Sequence, residues 1–311
     1  MNPYEHCLLC PHHCGVNRLE GKKGVCNESS AVRIAWAGLH RGEEPPISGE
    51  VGSGMIFFSG CPLHCAYCQN HQISARESFG YEISVNELAM LTLDLQRMGT
   101  HTLNLVTGTH YIPSITQALD IAKEKGLTLN VVWNSSGFES LEGLRLIDPY
   151  IDLYLIDLKT LDERVSRTFC GSVRYSRSIT DVYALLKTLR ENTFFTDDGL
   201  LRGVLVRHLL FPGELAATEE VLRYYAAELK EQMYLSVMVQ FEAPKGEKIL
   251  PVITPEEYER LLALFDELEI EEGFVQELED SLSWLPDFRL DEPFPPSFST
   301  PSSYFLSTIK K

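Results

Sequence analysis

Residues 54–74 read Gly-Met-Ile-Phe-Phe-Ser-Gly-Cys-Pro-Leu-His-Cys-Ala-Tyr-Cys-Gln-Asn-His-Gln-Ile-Ser, with three cysteines at the spacing C-x3-C-x2-C. The three are Cys61, Cys65 and Cys68. Thiolates this close in one loop can face one centre, and thiolate-rich sites select iron–sulfur clusters or zinc. A closed zinc site needs four ligands, so three cysteines favour a cluster with one iron open to an exogenous ligand. The alternative is a zinc loop that uses His64 or His71 as its fourth ligand, at a spacing unusual for zinc.

This stretch resembles the radical S-adenosylmethionine (radical SAM) superfamily, whose signature is C-x3-C-x-aromatic-C, and Tyr67 fills the aromatic position. Residues 57–61 and 68–70 resemble the branch that activates glycyl-radical enzymes, such as pyruvate formate-lyase-activating enzyme. Gly-Glu-Glu-Pro-Pro-Ile-Ser-Gly at 42–49 narrows the resemblance to the subgroup labelled PflX-like. The resemblance implies a [4Fe–4S] cluster on the three cysteines, with its open iron chelated by S-adenosylmethionine (SAM), and Tyr67 and Asn70 as cofactor-binding residues.

The composition is that of an ordinary globular protein, with 44% hydrophobic and 23% charged residues in a chain of 311. No signal sequence is visible, because Cys7 and Cys10 stand where its apolar segment would lie, and no apolar run approaches the roughly 20 residues of a membrane span. Eight clustered cysteines indicate metal binding in a reducing compartment, which we expect to be the cytoplasm. A net charge of −17 argues against a broad phosphate-binding surface, so nucleic acid is a disfavoured partner.

Residues 1–50 are predicted to form an N-terminal module that binds a metal through four cysteines. These are Cys7, Cys10, Cys14 and Cys26. Four thiolates with an opening C-x2-C pair suit a tetrahedral zinc site or a second iron–sulfur cluster, and the sequence leaves both open. The pattern Cys-x-Leu-Cys-Pro-x-x-Cys also recurs at the front of relatives of the activating enzymes, which makes this module the candidate for an electron relay.

From residue 51 onward, apolar runs alternate with amphipathic segments. Strands are predicted over 55–59, 102–107, 127–133, 151–158, 204–211 and 235–241. Helices are predicted over 84–98, 113–125, 178–191, 218–232 and 255–269, the first opened by the capping box Ser84-x-x-Glu87. Buried strands that alternate with helices imply an α/β fold with a parallel sheet. Six such units fit a partial (β/α)6 TIM-like barrel over residues 51–282, with reactive groups at the C-terminal ends of the strands.

Residues 283–311 are predicted to be a C-terminal extension and tail. The run Ser-Trp-Leu-Pro-Asp-Phe at 283–288 is expected to pack on the barrel. The last fifteen or so residues, rich in proline and serine, are expected to be mobile.

The second predicted strand ends in Thr107-Gly108-Thr109-His110, where activating enzymes carry Gly-Gly-Glu to hold the amino group of SAM. This chain lacks the acidic residue, so the resemblance implies that the hydroxyls of Thr107 and Thr109 and the loop carbonyls accept instead. His110 is either a hydrogen-bonded structural residue or a substrate contact, and an imidazole suits both roles.

The third predicted strand ends in a turn, Asn-Ser-Ser-Gly-Phe at 134–138, which resembles the Asp-Thr-Asn-Gly-Phe turn of the activating enzymes. Through that resemblance, Asn134 and Ser135 are candidates for contact with SAM or with a cation near its carboxylate. Without the resemblance, such a sequence is an ordinary turn.

The fourth predicted strand ends in Asp157-Leu158-Lys159, and the period of two places Asp157 and Lys159 on one side. Opposite charges inside a barrel need partners. A zwitterionic ligand would supply them, as SAM does for the matching Asp-Leu-Lys of the activating enzymes, and a self-satisfied Asp–Lys pair is the alternative. Arg207, in the fifth strand, is a further candidate for contact with SAM by resemblance, and Gln240 is a candidate for adenosine or substrate contact. The isolated Cys170 fits a small buried hydrophobe better than a nucleophile.

The sequence therefore predicts a radical SAM oxidoreductase that cleaves SAM reductively and abstracts a hydrogen atom from its substrate. The resemblance covers residues 51–245 and implies a backbone glycine of a partner protein as the target, with flavodoxin or ferredoxin as the reductant. Two alternatives remain: a radical SAM enzyme that acts on a small molecule, peptide or nucleic acid, and a non-catalytic iron–sulfur or zinc scaffold.

Overall fold

The centre of the fold is a mostly parallel sheet whose strands are joined by helices. The computed structural model describes residues 2–75, 78–241, 252–278, 285–295 and 297–311. Within these residues the strands are β1 (Val32–His40), β2 (Ser53–Phe58), β3 (Tyr81–Ile83), β4 (Leu103–Val106), β5 (Val131–Ser135), β6 (Leu153–Asp157), β7 (Phe194–Phe195), β8 (Leu201–Leu209), β9 (Tyr234–Met238), β10 (Gly273–Val275) and β11 (Ser299–Pro301). The α-helices are α1 (Pro45–Ser48), α2 (His71–Ser74), α3 (Val85–Arg97), α4 (Ile112–Glu124), α5 (Leu141–Ile147), α6 (Glu163–Phe169), α7 (Arg174–Leu189), α8 (Leu215–Glu228) and α9 (Pro255–Glu267).

The sheet order confirms the predicted partial barrel. The strands run β10-β9-β8-β6-β5-β4-β2-β1-β11, and β2 through β10 along this path pair in parallel. All six predicted strands are present as β2, β4, β5, β6, β8 and β9, with their ends shifted by a few residues. Since parallel strands end at one edge of the sheet, the loops that follow β2, β4, β5 and β6 share one side of the barrel.

Local sequence signals explain where the long helices begin. The Ser84 hydroxyl accepts from the Glu87 N–H at 3.2 Å, and the Glu87 carboxylate accepts from the Ser84 N–H at 2.7 Å. This is the predicted capping box of α3. Thr254 and Glu257 make the same reciprocal pair at the start of α9.

The short helix α1 closes the barrel at the end opposite the functional loops. Ile47 is fully buried against inward-facing aliphatic side chains near the beginnings of the strands, and its carbonyl accepts from Thr102 at 2.8 Å. The aliphatic partners are Val132, Leu153, Leu155, Leu201 and Leu205. Apolar burial of this kind contributes roughly 25 cal/mol per Å². Consequently, ligands that reach the barrel interior enter from the C-terminal ends of the strands.

Two features of the chain's periphery were not predicted. β1 lies in the range assigned to the N-terminal module, yet it pairs antiparallel with β2 in the main sheet, and β11 pairs with its other edge. The division at residue 50 stays a prediction. The expectation of a mobile tail is wrong, because the last residues are ordered by β11 and by the burial of Phe305. The proline- and serine-rich composition gives no sign of these contacts, which are the pairing of an edge strand and the burial of a helical turn.

The extension before β11 packs on the barrel as expected, in the part that the structure describes. Phe288 is 1% exposed, and its ring centroid lies 5.4 Å from that of Phe57 on β2. Ser283 and Trp284 lie outside the described residues. Among the helices formed by described residues, none is both long enough and apolar enough to cross a lipid bilayer.

Candidate active site

The three cysteines lie in the cysteine loop (residues 59–70), which follows β2 at the C-terminal edge of the sheet. Burial raises the pKa of the Cys61 and Cys68 thiols, and the adjacent Cys65 adds to both increases. The pKa of Cys65 is lowered to about 7, first by a hydrogen bond from the Cys170 thiol. The three cysteines therefore influence one another electrostatically, with Cys61 buried and Cys65 and Cys68 half-buried.

The donor set fits an iron–sulfur cluster. All eight cysteines are free thiols. Within the described ranges, no group of three or more His, Cys, Asp or Glu side chains is close enough to hold a single metal ion. A cubane cluster is larger than one ion and keeps its ligand sulfurs further apart, so three neighbouring thiols suit it better than a closed zinc site. His64, the proposed zinc ligand, instead has its ring nitrogens 3.0 Å and 2.9 Å from the carbonyls of Ser74 and Val25.

Asp157 and Lys159 project to the same side after β6, as predicted, and in this structure they pair with each other. Lys159 Nζ lies 2.5 Å from Asp157 Oδ2, with 13% and 22% of the two side chains exposed. Burial alone would lower the pKa of Lys159, but Asp157 and then Cys65 raise it above its usual value. The ammonium also lies 5.5 Å from the centre of the Tyr67 ring. This charged pair therefore adjoins the cysteine loop.

A carboxylate that the sequence analysis did not identify, Glu139, joins the ends of β4 and β5. Its Oε1 accepts from Thr109 Oγ1 at 2.6 Å, from Trp133 Nε1 at 3.3 Å and from the Ser135 hydroxyl. Burial raises the pKa of Glu139 despite these bonds, and its Oε2 has no partner among the described residues. The hydroxyls of Thr109 and Ser135, predicted to contact SAM, are thus engaged by the protein's own carboxylate. Their roles toward SAM stay predictions.

Residues around this carboxylate show how the loop is held. Thr107 has a φ of +60°, which is uncommon for a residue with a side chain. His110 is 3% exposed and its Nε2 lies 2.7 Å from the carbonyl of Ser59. Burial lowers the pKa of His110 to about 3, so the ring is neutral. This geometry matches the structural alternative for His110. Asn134, at the end of β5, is 8% exposed.

Arg207 is the predicted site residue whose surroundings differ most from expectation. Its Nε and Nη2 donate to the carboxylate of Glu44 at 3.0 and 2.7 Å, and Nη2 also donates to Glu43 at 2.5 Å. Ser236 on β9 donates to the same Glu44 at 2.8 Å. Most of the Arg207 donors are therefore bound inside the protein, and its contact with SAM stays a prediction. Both glutamates belong to the segment 42–49 that carried the PflX-like resemblance.

The N-terminal module packs directly against the back of the cysteine loop. His12 Nε2 lies 2.8 Å from the carbonyl of Pro62. A Cβ added at Gly60, whose φ is +82°, would lie 3.0 Å from the Cys26 carbonyl and 2.4 Å from Cγ of Glu28. Cys26 therefore lies close to the cysteine loop, and an electron relay from the N-terminal module stays a prediction.

The four cysteines of this module are close enough for three of them to influence the fourth, Cys10, electrostatically. Burial raises the pKa of Cys10 to about 12, with smaller contributions from the other three. The buried Arg18 lies with Nη1 4.0 Å from Cys7 Sγ and donates to the carbonyls of Glu28 and His110. Burial raises the pKa of the Cys26 thiol, and the Arg18 guanidinium offsets part of that increase. A metal at this module stays a prediction.

The comparisons with known proteins agree with this geometry. The family model of the radical SAM superfamily matches residues 55–225, more than half of the chain. The chain therefore belongs to the radical SAM superfamily, whose members combine a [4Fe–4S] cluster with SAM.

The following individual proteins are similar to the chain at low sequence identity. The chain is 28% identical over 283 residues to uncharacterized protein MJ0674 of Methanocaldococcus jannaschii, covering 87% of this chain and 77% of that protein. A radical SAM methyltransferase from Sphaerobacter thermophilus shares the fold with a TM-score of 0.50 at 14% identity, over 72% of this chain and 66% of the methyltransferase. Streptococcus suis SuiB bound to the precursor peptide SuiA matches with a TM-score of 0.48 at 11% identity, over 70% of this chain and 47% of SuiB. The chain thus spans about half of the SuiB length.

Proposed function

We propose that this protein reductively cleaves SAM at a [4Fe–4S] cluster held by Cys61, Cys65 and Cys68. The observation that carries the proposal is the position of these three thiols in one loop directly after β2, where Cys65 raises the pKa of both other thiols. When bound, the cluster and SAM would supply the radical chemistry that removes a hydrogen atom from the substrate. The protein positions the cofactors and excludes water from them.

The chain's own residues orient SAM around the open iron. We assign this role to residues of the cysteine loop and of the strand ends. They are Tyr67, Asn70, Thr107, Thr109, Asn134, Ser135, Asp157, Lys159 and Arg207. The Lys159 ammonium, which Asp157 holds beside the cysteine loop, would attract the SAM carboxylate. Glu139 acts indirectly by fixing the hydroxyls of Thr109 and Ser135.

The proposed substrate is a backbone glycine of a partner protein, as in activases of glycyl-radical enzymes. This part of the proposal is supported by the sequence resemblance over residues 51–245. The substrate that gives up the hydrogen atom must approach from the open edge of the barrel, because Ile47 fills the opposite end. Formation of a glycyl radical in a candidate partner protein, detected by electron paramagnetic resonance (EPR), would support this target, and its absence would favour a smaller substrate.

The N-terminal module is proposed to bind zinc or a second iron–sulfur cluster, and a flavodoxin or ferredoxin is proposed to supply electrons. Contacts of His12 with Pro62 and of Cys26 with Gly60 support an electron path from this module. The eight free thiols support a reducing, cytoplasmic location.

The test is anaerobic purification followed by measurement of iron, sulfide, zinc and SAM cleavage with dithionite. Two triple variants serve as each other's controls: Cys61→Ala/Cys65→Ala/Cys68→Ala, and Cys7→Ala/Cys10→Ala/Cys14→Ala. We expect the first to lose about four irons and all cleavage. Loss of one zinc with retained cleavage in the second would make the module structural, whereas loss of about four further irons would make it an auxiliary cluster. Wild-type protein that holds a cluster but releases no 5′-deoxyadenosine, with or without candidate substrate, would favour the scaffold.

A further inference from the structure

Two sulfurs of the cysteine loop accept hydrogen bonds from donors within the protein, and the third lies beside another thiol. The Leu63 N–H donates to Cys61 Sγ at 3.4 Å, and the Ser74 hydroxyl donates to Cys68 Sγ at 3.1 Å. The third sulfur, that of Cys65, adjoins the thiol of Cys170, which is the first cause of the lowered pKa of Cys65. The Leu63 donor is backbone of the loop itself, whereas Ser74 and Cys170 contribute side chains from α2 and from the end of α6.

The position of Cys170 is fixed by the scaffold. It is fully buried directly after α6, and its N–H donates to the Ser166 carbonyl at 3.0 Å. The preceding residue, Phe169, accepts at its carbonyl from the N–H of Ala66 in the cysteine loop at 2.9 Å. Gly171, with a φ of +73°, then lets the chain pass close to the carbonyl of His64. These backbone contacts hold the Cys170 thiol against Cys65 independently of any bound cofactor.

Ser74 is fixed in a similar way. It is the last residue of α2 and is 9% exposed, and its N–H donates to the Asn70 carbonyl at 3.1 Å. Its own carbonyl lies 3.0 Å from His64 Nδ1. The hydroxyl is therefore presented to Cys68 from a short helix that is tied back to the same loop.

Hydrogen bonds to ligand sulfurs stabilise negative charge on them, and a reduced cluster carries one more negative charge than an oxidised one. Donors aimed at the sulfurs therefore favour the reduced state. We propose that Ser74 and Cys170 raise the reduction potential of the cluster by donating hydrogen bonds to Cys68 and Cys65. This inference rests on the proposed function, because it requires a cluster at this loop. It makes Cys170 a positioning residue for the cluster's charge rather than an inert core residue.

The test compares the cluster midpoint potential, measured by EPR-monitored redox titration without SAM or substrate, in wild type, Ser74→Ala, Cys170→Ala and the double variant. We expect each single variant to disfavour reduction about tenfold, which lowers the midpoint by about 59 mV for a one-electron couple. The double variant should shift by about the sum. Cys170→Ser, which restores an O–H donor, should return the potential toward the wild-type value.

A matched control separates the hydrogen bond from packing. Val165→Ala removes apolar volume from the fully buried face of α6 without removing a sulfur donor, so it should leave the midpoint unchanged. Midpoint potentials are compared only between preparations that hold about four irons per chain. If an alanine variant loses iron, Ser74→Cys or Cys170→Ser, which are expected to keep the cluster, is measured in its place. In Ser74→Cys, the weaker thiol donor should lower the midpoint by less than alanine does. Iron–sulfur stretching frequencies, measured by resonance Raman spectroscopy, should change with the donor variants and not with the control.

The outcomes distinguish the two proposals. Iron-replete Ser74→Ala and Cys170→Ala with wild-type midpoints, or a shift of the same size in Val165→Ala, would overturn this inference and leave the proposed function intact. A wild-type protein that takes up no iron–sulfur cluster would overturn both.

Discussion

Removal of the Arg207 guanidinium should destabilise the barrel strongly. In the wild type, it binds two glutamates with three hydrogen bonds of 2.5 to 3.0 Å, and the side chains of Arg207, Glu43 and Glu44 are 14%, 10% and 9% exposed. In Arg207→Met, the two carboxylates stay inside the barrel without their cationic partner. Among the described side chains, the neutral Ser236 hydroxyl still donates to Glu44. Breaking a buried ion pair from one side costs about 3–5 kcal/mol. We expect a loss of about that size in the free energy of unfolding at pH 8.

The loss should shrink at acid pH. Burial already raises the pKa of Glu43, whereas Arg207 holds the pKa of Glu44 below its usual value. Once the arginine is absent, burial and mutual repulsion raise the pKa of both carboxyls, so the variant takes up protons as the pH falls. The difference from wild type should therefore be smaller at pH 5 than at pH 8.

The assay is urea unfolding, with stability read from the midpoint at unchanged slope. Two further variants make the reasoning testable. The triple variant Glu43→Gln/Glu44→Gln/Arg207→Met removes all three charges and should recover most of the loss. Arg177→Met breaks an exposed pair with Glu163 and should cost at most about 1 kcal/mol. The reasoning is refuted if Arg207→Met costs less than about 1 kcal/mol at pH 8, or if the triple variant is no more stable than the single one.

Three other changes test separate parts of the structure. The raised pKa of Glu139 means that the folded state binds the carboxyl proton more tightly than the unfolded state does. The stability that this group contributes is therefore present below its usual pKa and is lost as the pH rises toward the pKa of the folded state. Glu139→Gln should flatten that part of the curve of unfolding free energy against pH. Gly60→Ala adds a Cβ against Glu28 at a φ of +82° and should lower the free energy of unfolding by about 1–3 kcal/mol. The measurement is the urea midpoint, and an unchanged midpoint would contradict the close packing at Gly60. Phe305→Ala should cost about 3–5 kcal/mol because Phe305 is buried, whereas Leu290→Ala, at a side chain 55% exposed, should have little effect; equal midpoints would restore the idea of a loose tail.

The elements that the sequence predicts well are those whose signal is local. The apolar runs of the parallel strands, the Ser84–Glu87 capping box and the cysteine spacing each lie within a few neighbouring positions. Asp157 and Lys159 could be placed on one side because strand geometry repeats every two residues. Their direct pairing at 2.5 Å could not be predicted, because the sequence equally allows a zwitterionic ligand as the partner of both charges.

The features that the sequence did not predict depend on distant partners. Glu43 and Glu44 are separated from Arg207 by most of the first two thirds of the chain, and nothing near Arg207 signals two carboxylates. Glu139 follows an ordinary turn, and only the fold brings it to Thr109. β11 is a strand of three residues containing a proline, so its local propensity is weak and its pairing with β1 determines its structure.

The pairing of β1 with β11 also has a consequence for how the protein is made. Gly38 on β1 lies opposite Pro301 on β11, so the stretch of β1 from Gly38 to His40 has one edge uncovered until the ribosome has added the residues between them, whereas β3 covers the start of β1 early. At about 5–20 residues per second, that interval is on the order of tens of seconds. During this time the cysteine loop has already emerged and its thiols are accessible to a cluster donor, while the free edge of β1 is a template for pairing with other chains. Pairing with β11 therefore removes this template from the folded sheet.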